Sequence, residues 1–203
     1  MEKRNINNDV LEYDDATHTY YVNGVIVPSV TQIVKFAYPN TYKDIEPRVL
    51  ERARQLGVKM HKDIEDYEKG LQVEHSEELD SYVKLKSFIK WEVKHSEIPI
   101  IIYDKEKPLC AGRIDQIINI ADEWYVNDLK RTKDVHFKNL TLQLSLYAIG
   151  YEQCYGKSIR GGYCSHLKKD VGEFISIKLD KKKAIEKCLE YVKQIDDGDE
   201  FEW

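Results

Sequence analysis

Ala111-Gly112-Arg113-Ile114-Asp115 and, thirteen residues after that aspartate, Asp128-Leu129-Lys130 are the stretches whose reading decides the fold. Asp115 sits among Ile114, Ile117, Ile118 and Ile120, and Asp128 follows Trp124, Tyr125 and Val126. Both runs read as strands, at about 112–120 and 123–130, joined as a hairpin. Side chains alternate faces along a strand, so Asp128 and Lys130 point the same way, and a hairpin partner brings Asp115 beside them. Carboxylates inside apolar strands are costly unless paired or metal-bound. Two of them around one spot make an oxygen site for Mg²⁺ or Mn²⁺, and an adjacent lysine steadies charge on a phosphate or hydroxide. Acids and lysines at strand ends are also ordinary solvated groups, so spacing alone leaves both readings open.

Working outward, a strand at about 98–104 precedes this hairpin. A helix from Leu140 to Tyr155, stopped by Gly156, follows it. Two strands (about 159–167 and 173–178) and a helix from Asp180 to about Ile195 complete the chain. Upstream, Asn23-Gly24 between Tyr20-Tyr21-Val22 and Val25-Ile26-Val27 predicts a type I′ hairpin. Ser29 with Gln32 is a capping box opening a short helix to about Phe36. Pro47 opens a long helix to about Lys69, with Gly70 as its stop. Ser76 caps a further helix from Glu77 to about Lys94, whose apolar positions Leu79, Val83, Leu85, Phe88, Ile89 and Trp91 keep near-helical spacing. The fold class is α/β, a mixed central sheet flanked by helices. One domain spans 1–203: an N-terminal hairpin and short helix (1–45), a core (46–195) and an acidic tail (196–203).

The chain has 203 residues, a third of them charged, and a net charge of −5. Its mean hydropathy is negative. No run approaches the roughly 18 apolar residues of a membrane span. The N-terminus lacks a signal-peptide apolar region, which predicts a cytoplasmic protein with no membrane partner. Cys110, Cys154, Cys164 and Cys188 form no C-x-x-C pair and read as reduced core residues. The acidic balance argues against indiscriminate coating of nucleic acid but leaves room for a local basic patch. Two candidate patches are Lys130, Arg131, Lys133 and Lys138, and a run from Lys157 and Arg160 through Lys168, Lys169 and Lys181 to Lys183.

Two helical pairs add to the strand motifs. His61 and Glu65 share a helix face one turn apart, suited to a metal ligand and its orienting acid. Gln143 and Tyr147 repeat that spacing. Each pair has a bland alternative, a surface hydrogen bond or a buried polar pair.

In chain order these motifs resemble the PD-(D/E)XK nuclease superfamily, and within it the RecB-like exonucleases. The matching residues are Gly57-Val58-Lys59-Met60-His61 with Glu65, Gly112-Arg113-Ile114-Asp115, Asp128-Leu129-Lys130, and Gln143-Leu144-Ser145-Leu146-Tyr147, covering roughly residues 50–150. Pro28-Ser29-Val30-Thr31 is similar to the entry segment of phage and mitochondrial single-strand DNA exonucleases of this group. The resemblance implies a restriction-endonuclease-like core and a divalent-metal-dependent DNA exonuclease, bacterial or phage-encoded. A structure-specific endonuclease, or a non-catalytic DNA-binding or scaffold protein, are the rivals. It implies Asp115, Asp128 and Lys130 as catalytic, and His61, Asp115, Asp128 and the Leu129 carbonyl as ligands of Mg²⁺ or Mn²⁺. Glu65, Gln143, Tyr147, Thr132, Arg113, Ser29 and Thr31 take supporting or DNA-binding roles. Phe36, Tyr38 and Tyr42 are further candidates for stacking on bases. Single-stranded DNA is the implied partner, with a recombinase, helicase or single-strand-binding protein as possible associates.

Two departures stand out. Arg131 separates Lys130 from Thr132, where the family's threonine often follows the lysine directly. The glutamate many relatives carry upstream of G-x-x-D has no clear counterpart in Pro99-Ile100-Ile101-Ile102, although Glu97 lies nearby. The iron–sulfur branch uses an N-terminal cysteine, and none precedes Cys110 here, so no cluster is expected.

Overall fold

Asn23 and Gly24 take φ of +52° and +79°, the pair of positive angles a type I′ turn demands, and join β3 (Thr19–Val22) to β4 (Val25–Val27). A computed structural model describes residues 1–41, 43, 45–167 and 172–196 of the chain. The expected hairpin is half of a four-stranded antiparallel sheet that also contains β1 (Glu2–Ile6) and β2 (Asp9–Asp14), in the order β1-β2-β3-β4. Sequence reading overlooked both β1 and β2; in β1, Glu2-Lys3-Arg4-Asn5 shows no apolar alternation, and of that strand only Ile6 is buried.

α1 (Val30–Ala37) carries the Ser29/Gln32 capping box as read. α2 (Pro47–Glu68) starts on its proline, and α3 (Glu77–Ile89) is capped by Ser76. The expectation that α3 runs to Lys94 is corrected. Lys90 turns left-handed at φ +64° and ends the helix, and residues from Glu92 on belong to β5 (Glu92–Asp104). Phe88, counted on the helical stripe, is 84% exposed. Trp91 is buried against Tyr82 and stacked on Phe174, so it packs as the entry to a strand.

β5, β6 (Lys107–Ile120) and β7 (Glu123–Lys130) form an antiparallel meander. β8 (Gly161–Leu167) then pairs parallel to β7, and β9 (Gly172–Ile177) closes the order β5-β6-β7-β8-β9. A parallel neighbour requires a crossover, supplied by α4 (Phe137–Tyr155). α5 (Lys181–Asp196) follows β9. The protein is therefore mixed α/β, with two sheets, one of them mixed, and flanking helices. α1, α4 and α5 bury one face of the five-stranded sheet through Val30, Ile33, Leu144 and Cys188. α2 and α3 cover the other through Met60, Ile64, Leu79 and Tyr82. The smaller sheet packs Leu11, Tyr20 and Val22 on Ile101 and Tyr103.

Cys110, Cys164 and Cys188 are buried free thiols, and Cys154 is half-buried. Among the described residues no helix is long and apolar enough to cross a membrane. The tail from Asp197 lies outside the described residues, as do Tyr42, Lys168 and Lys169.

Candidate functional site

β6 and β7 pair with Gln116 opposite Asn127, which sets Asp115 across from Asp128. Strand alternation then works as expected: Lys130 Nζ donates to Asp128 Oδ1 at 2.9 Å and lies 2.9 Å from Oδ2. Asp128 is 1% exposed, and its Oδ2 accepts no hydrogen bond. Asp115 is held by the Leu129 N–H, which donates to its Oδ2 at 2.8 Å.

β5 adds a carboxylate that the motif reading left aside. Pairings of Ser96 with Gln116 and Ile98 with Ile114 flank Glu97 and place it across from Asp115. That register exists because an irregularity between Ile102 and Tyr103 shifts the strand by one residue relative to its turn. A one-residue slip exchanges the faces of every side chain that follows. Glu97 itself sits at φ +49°, a left-handed backbone that non-glycine residues adopt at a cost of order 1–3 kcal/mol, commonly at functional sites.

α2 contributes His61 from above this corner. Its Nε2 lies 3.1 Å from the Leu129 carbonyl oxygen, which can only accept, so Nε2 carries a proton. Nδ1 faces Glu97 Oε1 at 3.4 Å and Asp115 Oδ1 at 3.6 Å. One ligand atom each from His61, Glu97 and Asp115 lie within 4.8 Å of one another, a group able to hold a metal ion. Burial opposes charge on the ring, but Asp115 and Glu97 outweigh it and push the imidazole up to about 9. Burial raises the Asp115 carboxyl against the pull of His61 and Lys130. Burial likewise raises Asp128 against the pull of Lys130, with Asp115 adding to the rise. Burial disfavours the Lys130 ammonium, yet Asp128 and Asp115 hold it well above the usual lysine range.

The remaining candidates divide. Gln143 donates to the Tyr147 hydroxyl at 3.3 Å, and Tyr147 is buried beside Gly112, where a Cβ would meet its Cε1 at 3.0 Å. Burial, then Asp115, raises the Tyr147 phenol far above its usual value, so it stays neutral beside the acids. Glu65 does not reach His61. Its carboxylate lies 2.5 Å from Lys69 Nζ and 3.9 Å from Lys62 Nζ along the same helix, and Glu97 takes the place expected of it. Arg113 turns to the smaller sheet, 2.9 Å from Glu2 Oε2 and over the Tyr13 ring. The Ser29 hydroxyl caps α1 by accepting from the Gln32 N–H, and Ser29 bridges Ala111 of β6. The Leu129 carbonyl, expected as a metal ligand, faces His61 instead. Thr31 and Thr132 line a cavity that reaches Lys130 and Gln143.

Several described members of the two basic runs are already engaged. Arg131 pairs with Glu78, Lys181 with Glu152, and Arg160 with Glu123, while Lys157 lies over Trp124. Phe36 packs on Tyr191 of the core, whereas Tyr38 lines the cavity.

Fold and site together define a mixed α/β protein carrying a histidine–carboxylate group beside a buried aspartate paired with a half-buried lysine. No family model matches the chain, and no curated protein matches it. Among solved structures the chain is similar to one described as "Crystal structure of SSO0001", at 19% identity, covering 83% of this chain and 76% of that one, with a TM-score of 0.47. A likeness that weak has no bearing on function.

Proposed function

We propose that this chain is a divalent-metal-dependent deoxyribonuclease with a restriction-endonuclease-like core, acting on single-stranded DNA ends. One observation carries the reading: α2, β5, β6 and β7 bring His61, Glu97, Asp115 and the Asp128–Lys130 pair to one corner of the sheet. A structural role alone does not call for a buried carboxylate, a partly buried one across from it, a third acid on strained backbone and a histidine at one place.

The donors fit Mg²⁺ or Mn²⁺. His61, Glu97 and Asp115 offer one nitrogen and carboxylate oxygens, and Asp128, ion-paired with Lys130, stands across the strand pair from Asp115. Such oxygen-rich sets suit hard divalent cations, and one imidazole is compatible with Mn²⁺. When bound, the ion supplies Lewis-acid polarisation of a phosphoryl oxygen and a lower pKa for water. The protein's own groups do the rest. The Leu129 N–H fixes the Asp115 carboxylate before any ligand arrives. The Lys130 ammonium, kept charged by Asp128 and Asp115, opposes negative charge that builds on the phosphoryl group. An aimed donor of that kind is commonly worth about 3–4 kcal/mol. Glu97 fills the position of the upstream glutamate in the PD-(D/E)XK pattern.

The test uses end-labelled single- and double-stranded DNA, linear and circular, with Mg²⁺ or Mn²⁺ and then with EDTA. Loss of linear single strands alone supports the exonuclease. Cutting of circles redirects the proposal to an endonuclease, and no cleavage with any metal leaves a binding or scaffold protein.

A further inference from the structure

The geometry points to a nucleotide-binding subsite beside Lys130, where the base and sugar of the terminal nucleotide leave the strand and enter a cavity in the protein. This inference rests on the deoxyribonuclease reading and adds what the substrate does next to the cut. A cavity of about 600 Å³ opens between α1, the start of α2, the segment after β7 and α4. That volume lies within the usual range for small-molecule and cofactor sites. Lys130 and Gln143 belong both to its wall and to the corner described above, so a group inside it is continuous with one held there.

Its chemistry favours one occupant. Val34, Tyr38, Leu50 and Leu140 supply apolar and aromatic wall, which suits the faces of a heterocycle. Among the described residues, Lys35 and Lys43 line it with Asp134 as the one lining carboxylate, and Lys130, paired with Asp128, stands at its edge. The balance is cationic in a chain of net charge −5. A flat, apolar-faced ring attached to a phosphate satisfies both features; an apolar peptide satisfies only the first and a bare phosphate only the second. Two of its polar side chains are already engaged with each other or with backbone. Asn139 donates its amide to the Thr41 hydroxyl, which itself donates to the Tyr38 carbonyl. Recognition by stacking and apolar contact tolerates every base, as an enzyme that degrades strands of any sequence requires.

The test is direct binding to the whole protein in EDTA, by calorimetry and by methyl NMR. The probes are dAMP, dTMP, deoxyribose 5-phosphate and inorganic phosphate. Both nucleotides are expected to bind at least tenfold more tightly than the two base-free probes and within a few-fold of each other, shifting the methyl signals of Val34 and Leu50. Leu50→Asp, at the half-buried position of the otherwise exposed first turn of α2, is expected to weaken both nucleotides at least tenfold. Val34→Glu, placed on the α1 side, does the same if the first variant perturbs its own helix. Equal binding of nucleotides and deoxyribose phosphate, or nucleotide binding indifferent to both variants, overturns the subsite even in a protein that cleaves DNA. Nucleotide binding lost in both variants, in a protein that cleaves nothing, upholds the subsite and refutes the deoxyribonuclease.

Discussion

At the proposed metal site, affinity for a divalent ion is expected to rise steeply with pH, and the size of the rise follows from His61. The imidazole is held up to about 9 by Asp115 and Glu97, so at neutral pH nearly every ring is an imidazolium. A cation taking Nδ1 must expel that proton. Two pH units below the pKa, the expulsion costs about 2.7 kcal/mol, or about a hundredfold in apparent affinity. Between about pH 7 and 8.5 the apparent association constant therefore climbs close to tenfold per unit, and about one proton is released for each ion bound. Asp128, raised by burial to about 6, adds slope at lower pH, below the window in which His61 titrates. Calorimetric titration of Mn²⁺ in two buffers of different ionisation enthalpy measures both quantities. Glu97→Gln removes a hydrogen bond and a charge that support the imidazolium, so it lowers the affinity and flattens the slope together. Constant affinity across that window, with no proton release, would refute the argument that His61 is both protonated and a ligand.

Three more outcomes follow from the same groups. Because the folded pKa of His61 exceeds its unfolded value, the metal-free protein holds this stability below about pH 6.5 and loses it, up to about 3 kcal/mol, as pH rises through about 9. Urea midpoints in EDTA show the decline, and His61→Ala removes it. Lys130→Ala is expected to abolish the proposed DNA cleavage and to strand the buried Asp128 carboxylate. With Lys130 32% exposed, the loss is about 2–3 kcal/mol at pH 8, and it shrinks toward pH 5 as Asp128 takes up a proton, read by thermal denaturation at both pH values. Gly112→Ala brings a methyl to 3.0 Å from Tyr147 Cε1 and Val30 Cγ2, costing about 1–3 kcal/mol in chemical denaturation and lowering cleavage by displacing Tyr147 beside Asp115.

Local signals were legible wherever the chemistry was local. Asn23-Gly24 specified its turn, Ser29 with Gln32 its cap, and Pro47 the start of α2, each through contacts within a few residues. The alternation in Asp128-Leu129-Lys130 placed acid and amine on one face, and their 2.9 Å contact follows from strand geometry. The apolar spacing from Leu79 to Trp91 misled for the opposite reason. Helix and strand templates both accommodate Phe88-Ile89-Lys90-Trp91, and the left-handed turn at Lys90 with the stacking of Trp91 on Phe174 decided between them.

By itself the sequence determined the element types around the site and the acids, lysine and histidine available to it, because periodicity and capping are short-range properties. Which acid stands beside His61 was a tertiary matter. Glu65 shares a helix face with His61 but is drawn to Lys69 and Lys62, while Glu97 reaches His61 across 36 residues. The irregularity between Ile102 and Tyr103 sets that arrangement, since one residue of register decides whether Glu97 faces Asp115 or the opposite side of the sheet.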